Sequence, residues 1–454
     1  MGGRRHHIPI WEYTLPKERS VNQAELVDGV PGDTTGLIIP AHADALRAVG
    51  TSFLTRAFRA YGSLSGDNSV TRIRRFELCA IGSTGQKVLL SLEYARPEPG
   101  LPMDLFVKFS RDFADAFRDR RRGELASEIA LCELSRVADF PIRVPVPYFA
   151  DFHRESGTGL LITERIAFGV AGIEPLRPKC MDHLLDRPLE YYRAIVSALG
   201  RLAAHTSGAL SPQVQALFPF DPQAAAEADP IPWDEEGLRV QVARYAEFAA
   251  RCPQLLPAHI RSTQFIAQFE RDAVSVLRHE RSIKEFMHAD SAYIALSHFN
   301  AHIDNAWFWR DARGSLQCGL FDWQRGRQMN VAYALWGALC GAGLDIWSDH
   351  LDELLGLFVT EMQVHGGPAL DRERLELYLH LYAATMGLAG LLVMPTIVCA
   401  KLPNPESASG PLDSMVVGNE AVRSFLHIFT VLLNLWQSSK FRINLERTLG
   451  QFDR

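Results

Sequence analysis

The spacing of apolar residues divides the chain into a shorter region with the period of strands and a longer region with the period of helices. Between residues 41 and 59, apolar positions recur at helical spacing and predict one amphipathic helix. From Val70 to Tyr94 the period changes and predicts two strands on either side of a loop rich in glycine and serine. Apolar runs at 104–110 and 159–162 are also typical of strands. We therefore expect a small sheet before residue 168.

Beyond that point the apolar positions follow the helical period. Helices are predicted at 191–207, 235–250, 258–286, 331–344, 349–365, 372–393 and 421–437. The proline- and alanine-rich segment 209–233 predicts an irregular insertion. The patterns together predict an α+β fold in three segments, an N-terminal extension with its helix (1–60), a lobe that holds the sheet (61–168) and a helical lobe (169–454).

Composition narrows the possible functions. A chain of 454 residues with 47% hydrophobic composition can bury two cores. The net charge of −6 provides no general attraction for nucleic acid, so no nucleic-acid partner is expected. The seven cysteines are odd in number, lack paired spacing and include no CxxC, which argues against a disulfide framework and a thiolate zinc site. A reducing, cytoplasmic location is the simplest interpretation.

Two segments must be weighed as targeting or membrane signals. The N-terminus has two arginines but no apolar run behind them, so a secretory signal is not expected. The stretch from Leu381 to Ala400 is uncharged and long enough to span a membrane. It contains Gly387, Gly390 and Pro395, which favour a buried helix that ends near Pro395. We therefore expect a soluble protein without a membrane partner.

The stretch 297–323 carries the candidate chemistry. A polar loop runs from His298 to Asn305, and two short predicted strands joined by a turn lead from it to Asp322. A loop amide and a carboxylate at the end of a strand can converge on one metal ion. Oxygen ligands of this kind suit Mg²⁺ that is also held by the phosphates of a substrate.

These residues resemble the catalytic segment of the aminoglycoside phosphotransferase and choline kinase superfamily, including its ecdysteroid-kinase-like branch. Its pattern is H-x-D-x-H-x-x-N followed by an apolar pair and then D-W or D-F, and His298, His302, Asn305 and Asp322 match it. The resemblance implies a bilobal, protein-kinase-like fold, ATP and Mg²⁺ as cofactors, and a small hydroxylated acceptor. It assigns the metal to Asn305 and Asp322. One position departs from the pattern, because Asn300 stands where the family has its catalytic Asp.

The resemblance also assigns residues to the nucleotide, which are Gly82, Ser83, Gly85, Lys108, Glu128, Glu164 and Ile166. Small residues at a hairpin tip let backbone N–H groups approach phosphates, although most such hairpins are only turns. Lys108 would hold the phosphates and pair with Glu128, with Glu124 as the alternative one turn earlier. A lysine in an apolar strand either points outward or needs a charged partner. The exposed backbone at Glu164 and Ile166 would take the adenine edge.

Several alternatives stay open for the loop. His298 and His302 could ligate zinc, but the preceding strand and the lack of a glutamate between them argue against it. His298 is expected to shape the loop. Asn300 can orient a hydroxyl group but cannot accept its proton at neutral pH. Asp304 or His302 could replace the missing base.

Two functional hypotheses follow. The first is an ATP-dependent kinase of a small hydroxylated molecule, in which Asn300 orients the acceptor. The second is a pseudokinase that binds a nucleotide or another ligand and transfers little or no phosphate. A third option, reuse of the fold without a nucleotide, is disfavoured by the joint retention of Lys108, Asn305 and Asp322.

Overall fold

The computed structural model describes three stretches of the chain, which are residues 26–79, 84–207 and 212–453. The chain divides into two compact units. Among the described residues, the first unit contains 26–173 and the short segment Gly319–Gly326, and the second contains Glu174–Cys318 and 327–453. The limits of the three segments predicted from the sequence stay a prediction.

The first unit is built on an antiparallel sheet. Its elements are β1 (Gly29–Pro31), β2 (Ile38–Pro40), α1 (Ala43–Tyr61), β3 (Val70–Leu78), β4 (Lys87–Tyr94), β5 (Asp104–Phe109), α2 (Ala116–Arg120), α3 (Leu125–Leu134), β6 (Pro147–His153) and β7 (Thr158–Glu164). Five strands pair in the order β3-β4-β5-β7-β6, and β1 pairs with β2 alone. Strand β5 is therefore the centre of the five-stranded sheet, with a neighbour on each side.

Helix α1 covers one face of this sheet. Its Phe53, Leu54 and Phe58 are buried in the same hydrophobic core as Val88 and Leu90 of β4. Burial of each such side chain contributes about 1.5–3 kcal/mol, which makes this contact a main source of stability in the unit. The periodicity between 41 and 59 predicted this helix, and the observed limits differ by two residues at each end.

The second unit is mainly helical. Its elements are α4 (Pro188–Thr206), α5 (Pro212–Leu217), α6 (Pro222–Glu227), α7 (Glu235–Arg251), α8 (Thr263–Arg278), α9 (Glu280–His288), β8 (Ile294–Ser297), β9 (Ala306–Arg310), β10 (Leu316–Leu320, whose last two residues belong to the first unit), β11 (Arg327–Asn330), α10 (Ala332–Leu339), α11 (Leu344–Asp349), α12 (Leu351–Val364), α13 (Arg372–Gly390), α14 (Met394–Lys401), α15 (Ser414–Val417), α16 (Glu420–Gln437) and α17 (Ser439–Phe452). Strand β8 pairs with β11, and β9 pairs with β10.

Helices of the second unit pack closely where the chain has glycine. A Cβ at Gly200 of α4 would lie 2.7 Å from the Cβ of Glu361 and 3.1 Å from the carbonyl oxygen of Phe358. A Cβ at Gly387 of α13 would lie 2.4 Å from the side chain of Leu432. Alanine at Gly200 would therefore press on the backbone of α12, and alanine at Gly387 would require the side chain of Leu432 to move.

Some helix predictions were wrong in detail. The region 258–286 forms two helices, because the chain breaks at His279, whose N–H bonds to both Ser275 O and Val276 O. The apolar stripe continues across the break, so periodicity alone did not reveal it. The insertion 209–233 is not wholly irregular, since it contains α5 and α6. Strand β11 and helix α17 were not predicted.

The long uncharged run also differs from its prediction. Helix α13 ends at Gly390, and Pro395 lies in the first turn of α14, where the missing N–H of proline breaks no helical hydrogen bond. Within the described residues, no single helix has the length and apolar character to cross a membrane. The bent pair α13 and α14, with 47° between its axes, meets the length and composition limits only when the two are taken together.

The predicted fold class is confirmed. The first unit carries the small antiparallel sheet, and the second, larger unit is mainly helical, as expected for a bilobal α+β protein. The helical period after residue 168 and the strand period before it were sufficient to predict this division of structure types.

Candidate functional site

Lys108 is the centre of a buried ionic cluster in the first unit. It lies near the end of the central strand β5 and is 8% exposed. Its Nζ is 2.9 Å from each carboxylate oxygen of Glu128 and 2.8 Å from Oδ1 of Asp322. An ammonium group in this position is stabilised by two carboxylates, and the alternative of an outward-pointing lysine is excluded.

Helix α3 provides Glu128. Leu125 and Cys132 share the hydrophobic core of the sheet, and Glu128 is buried on the same helix. The alternative partner, Glu124, instead forms an ion pair with Arg121 at 3.0 Å. The structure therefore brings Glu128, and not Glu124, to the lysine.

Asp322 reaches the cluster through an unusual backbone conformation. The first-unit segment Gly319–Gly326 is anchored by the hydrogen bond from Leu320 N to Arg143 O, 3.0 Å, and by the buried Trp323. Asp322 then adopts φ = 64°, in the left-handed region that, apart from glycine, Asp and Asn occupy most often.

The cluster keeps Lys108 charged while leaving Asp322 accessible. Burial lowers the pKa of Lys108, but the adjacent Asp322 and Glu128 raise it more, so the pKa lies above its ordinary value. The side chain of Asp322 is 38% exposed, whereas that of Glu128 is 8% exposed. Of the two carboxylates, Asp322 is thus the one that a metal ion or phosphate can approach from solvent.

A second lysine, which the sequence analysis missed, lies beside the first. Lys87 begins β4 directly opposite Lys108 in the antiparallel register, and it is 4% exposed. Its Nζ donates to the carbonyl oxygen of Thr84, and the hydroxyl of Thr84 donates to Oε1 of Gln324 at 2.6 Å. The sequence analysis predicted this strand but gave Lys87 no role. The register of β4 with β5 was the signal that could have revealed the lysine.

The small-residue loop is described only in part. Gly82 and Ser83 lie outside the described residues. Gly85 has φ = 47°, and a Cβ there would lie 1.8 Å from the carbonyl oxygen of Phe109. Glycine at this position is therefore required for the hairpin to pack against β5. Any contact of its N–H with phosphate stays a prediction.

The predicted adenine segment follows β7. The backbone N–H of Glu164 donates to Val146 O at 2.9 Å, and its side chain accepts from Val146 N at 3.0 Å. Glu164 is thus engaged in strand pairing. Among the described residues, no hydrogen bond uses the backbone of Ile166, so its polar groups can accept a ligand.

The polar loop of the second unit is ordered by its own hydrogen bonds. Nδ1 of the fully buried His298 accepts from the backbone N–H of Asn300 at 3.1 Å. The Nδ2 group of Asn305 donates to the carbonyl oxygen of Asn300 at 2.8 Å. This bond orients the Asn305 amide and leaves its Oδ1, the end that binds cations, for another partner. His298 makes the contact expected of a loop-shaping residue.

The two proposed substitutes for the missing base differ, because the surroundings make His302 a weaker proton acceptor than usual and make Asp304 a stronger one that is paired with Lys179. Burial, Lys179 and His298 hold the pKa of His302 well below its ordinary value, and its ring lies against Cys340 at 3.6 Å. Asp304 faces Lys179 at 3.4 Å. Burial raises the pKa of Asp304 above its ordinary value, although Lys179 opposes the shift. His302 is therefore neutral at pH 7, and Asp304 is held in an ion pair.

Each unit contains an oxygen donor of a type that suits a magnesium ion better than a zinc ion. Within residues 26–79, 84–207 and 212–453, no three His, Cys, Asp or Glu side chains form a metal-binding group. The oriented amide oxygen of Asn305 and the exposed carboxylate of Asp322 are hard ligands. Mg²⁺ commonly takes only one or two protein ligands of this kind, together with phosphate and water. Zinc ligation by His298 and His302 gains no support.

Comparison with known proteins gives similarity in structure only. No family model and no curated protein sequence matches the chain. A choline/ethanolamine kinase family protein from Mesorhizobium loti aligns with a TM-score of 0.39 and 16% identity over 84% of this chain and 93% of that chain. The microcompartment-associated aminopropanol kinase aligns with a TM-score of 0.40 and 13% identity, over 88% and 98%.

A spectinomycin phosphotransferase solved with ADP and spectinomycin aligns with a TM-score of 0.38 and 10% identity over 88% of this chain and 98% of that chain. At such low identities and TM-scores, the alignments assign no residue roles in this chain. These three solved structures align with most of the length of this chain, and at these TM-scores the alignments carry no argument about its function.

Proposed function

We propose that the protein is an ATP- and Mg²⁺-dependent phosphotransferase that acts on a small hydroxylated molecule. The observation that carries this proposal is the bonding of one buried lysine, Lys108, to both Glu128 and Asp322. A buried pair of lysine and glutamate with a second, exposed carboxylate is an arrangement in which the lysine is charged and positioned to bind phosphate. It is difficult to explain as a means of stability, because a buried ion pair is weak evidence for stabilisation.

In this proposal Glu128 holds Lys108 in place, and the phosphates of ATP take the position at Nζ that Asp322 occupies in the free protein. Asp322 is then available as a metal ligand, and Asn305 is the second proposed ligand. Magnesium, when bound, would neutralise charge on the phosphates during transfer. The backbone of Ile166 is the proposed contact for adenine.

The acceptor side works without a carboxylate base. Asn300 is proposed to orient the acceptor hydroxyl by hydrogen bonding, and positioning is a large part of the catalysis of phosphoryl transfer. A general base commonly contributes about 10²–10⁴-fold, so slow transfer is expected. The acceptor is proposed to be a small molecule.

Nucleotide binding is tested by thermal unfolding with and without MgATP. The wild-type protein should be stabilised by MgATP and much less by ATP with a chelator. Asp322→Ala should lose this difference, because it removes the proposed metal ligand. Asp67→Ala is the matched control, since Asp67 is an exposed carboxylate of the same unit that pairs with Arg96. Absence of any stabilisation of the wild-type protein would refute the proposal.

The second candidate function is that of a pseudokinase. Asn300 favours it, together with the buried, neutral state of His302. Asn300→Asp separates the two functions. In a competent kinase, this variant should increase the rate of ATP hydrolysis or acceptor phosphorylation by about 10²–10⁴-fold. If both forms bind MgATP and neither turns over across a panel of acceptors, a binding role is favoured.

A further inference from the structure

Two lysines share one face of the sheet at the proposed phosphate site. Lys87 of β4 and Lys108 of β5 are directly opposite each other in an antiparallel ladder. Residues in that relation project from the same face, with Cβ atoms about 4.5–5.5 Å apart. The face that presents Lys108 to Asp322 therefore also presents a second ammonium group.

The two lysines differ in their partners. Lys108 bonds to two carboxylates, whereas the hydrogen bonds of Lys87 within the described chain go to Thr84, to its carbonyl oxygen and, at 3.5 Å, to its hydroxyl. No ion pair of Lys87 occurs within this part of the chain. A buried ammonium group with no carboxylate partner is costly.

The pKa of Lys87 reflects the same cost of burying an ammonium group without a carboxylate partner. Burial, then Lys108 and Arg118, lower the pKa of Lys87 to about 7, and Asp322 and Glu128 oppose this only in part. An incoming polyanion would reverse the balance, because each phosphate brings negative charge to a place where cations are in excess. The charged form of Lys87 is thus unfavourable in the free protein, and contact with a phosphate would stabilise it.

The connections of Lys87 also point to the phosphate site. Thr84, whose carbonyl oxygen accepts from Lys87, lies in the small-residue loop between Ser83 and Gly85, and its hydroxyl bonds to Gln324, two residues after Asp322. Lys87 is therefore attached to the loop and, through Thr84, to the segment that carries the exposed carboxylate. All of these residues belong to the first unit.

We propose that Lys87 is a second phosphate-binding lysine, which exchanges the carbonyl oxygen of Thr84 for a phosphate oxygen when the nucleotide binds. This inference rests on the proposed function, since it needs a nucleotide at Lys108. The competing interpretation is that Lys87 only braces the hairpin through Thr84. A brace would affect stability but would not distinguish ligands by their number of phosphates.

The test measures binding of ATP with Mg²⁺, ADP with Mg²⁺ and adenosine to Lys87→Met by calorimetry. A hydrogen bond to a charged group is strong enough that its loss should weaken ATP and ADP binding by about tenfold or more. Adenosine should bind as it does to the wild-type protein. Lys87→Arg keeps the charge and should recover part of the loss.

The matched control is Lys284→Met. Lys284 is also a buried lysine that donates to backbone carbonyl oxygens, those of Ala228 and Asp229, but it lies in the second unit and outside the proposed site. This variant should leave all three affinities unchanged. Thermal unfolding of each variant confirms that it is folded before its affinities are compared.

The outcomes are distinct. Unchanged ATP affinity in a folded Lys87→Met variant, with wild-type binding intact, would overturn the role of Lys87 and leave the proposed function standing. An equal loss for adenosine and ATP would also overturn it, because it would indicate the brace. Failure of the wild-type protein to bind any nucleotide would refute the proposed function and this inference together.

Discussion

The ionic cluster of the first unit and the polar loop of the second unit differ in their ionisable side chains. The cluster contains the charged Lys108, its buried partner Glu128 and the accessible carboxylate of Asp322. The loop has an amide, Asn300, where the resembled family has a carboxylate, and its His302 is buried and neutral. The proposed nucleotide side thus has the charged residues that it needs, whereas the proposed acceptor side has an amide in place of a carboxylate at position 300.

This difference between the cluster and the loop bears on the choice between the two proposed functions. A buried lysine with two carboxylate partners is weak evidence for stabilisation, and phosphate binding is a function that the cluster would suit. If the protein transferred phosphate rapidly, a general base would be expected near the acceptor. The combination favours a nucleotide-binding protein whose transfer step is slow or limited by the missing base. Substitutions in the two regions can test each of them separately.

The largest effect is expected for Lys108→Met. The change leaves Glu128 buried without its cation, and breaking one partner of a buried pair costs about 3–5 kcal/mol. Denaturant unfolding should show this loss, and MgATP should no longer stabilise the variant. The double variant with Glu128→Gln should recover part of the stability, since it removes the unpaired charge, but not the response to MgATP. A loss below about 1 kcal/mol would contradict the buried pair.

The next largest effect is expected for Gly85→Ala. The new Cβ would meet the carbonyl oxygen of Phe109, and alanine is strained at φ = 47°. Together, strain and overpacking should lower the free energy of unfolding by about 2–4 kcal/mol. Gly36→Ala is the control, because Gly36 has φ = 68° and a Cβ added there would have no atom within 4 Å, so only the strain of about 1 kcal/mol applies. Equal losses in the two variants would contradict the close packing of the hairpin.

A smaller effect, with the opposite sign, is expected for Lys87→Met. The pKa of Lys87 is about 7 in the folded protein and 10.5 in the unfolded one. The unfolded state therefore binds more protons between these values, and the cost of burying Lys87 is fully present below pH 7 and is relieved as the pH rises toward 10.5. Methionine removes this cost, so the variant should be more stable by about 1–4 kcal/mol at pH 6.

The gain should shrink as the pH rises from 7 toward 10. Urea unfolding of the wild-type protein and the variant at pH 6, 7.5 and 9 measures it. The charged groups that act on Lys87 are Lys108, Arg118, Asp322 and Glu128, and they are the same in both proteins. A gain that is independent of pH would mean that Lys87 is charged throughout, and a loss of stability would mean that its bond to Thr84 outweighs its burial.

Most of the ionic cluster could be predicted from the sequence. The resemblance assigned Lys108, Glu128 and Asp322, and the strand and helix patterns around the first two agreed with it. The expected pairing of Lys108 with Glu128 is present, and Lys108 also contacts Asp322, whereas the expected meeting with Asn305 stays a prediction. The choice between Glu128 and Glu124 needed coordinates, because both lie on the same side of one helix turn.

Lys87 could not be predicted in the same way. Its position depends on where β4 begins and on how β4 pairs with β5, and both are poorly determined by periodicity. The break at His279 was missed for a related reason, since a helix pair can keep its apolar stripe across a kink. The burial of His302 and Asp304 depends on contacts with Cys340 and Lys179, which are distant in sequence. Local patterns therefore predicted the elements and the motif but not these long-range surroundings.

The smallest effect is expected in the loop of the second unit. Burial holds the pKa of His302 well below its ordinary value, whereas the same residue takes up a proton near pH 6.5 in the unfolded protein. The unfolded state then binds more protons as the pH falls, so the contribution of His302 to stability is lost below pH 6.5, at up to about 1.4 kcal/mol per pH unit.

His302→Gln should therefore reduce the slope of stability against pH between 6.5 and 5, while the stability above pH 7 changes little. His380→Gln is the comparison, because burial lowers the pKa of His380 to about 3 at a place away from the loop. The two variants should flatten the profile alike, yet only His302→Gln should alter turnover of an Asn300→Asp protein, since only His302 belongs to the acceptor loop. A bell-shaped pH–rate profile that depends on His302 near pH 6.5 would show instead that this histidine titrates in the folded protein and replaces the missing base.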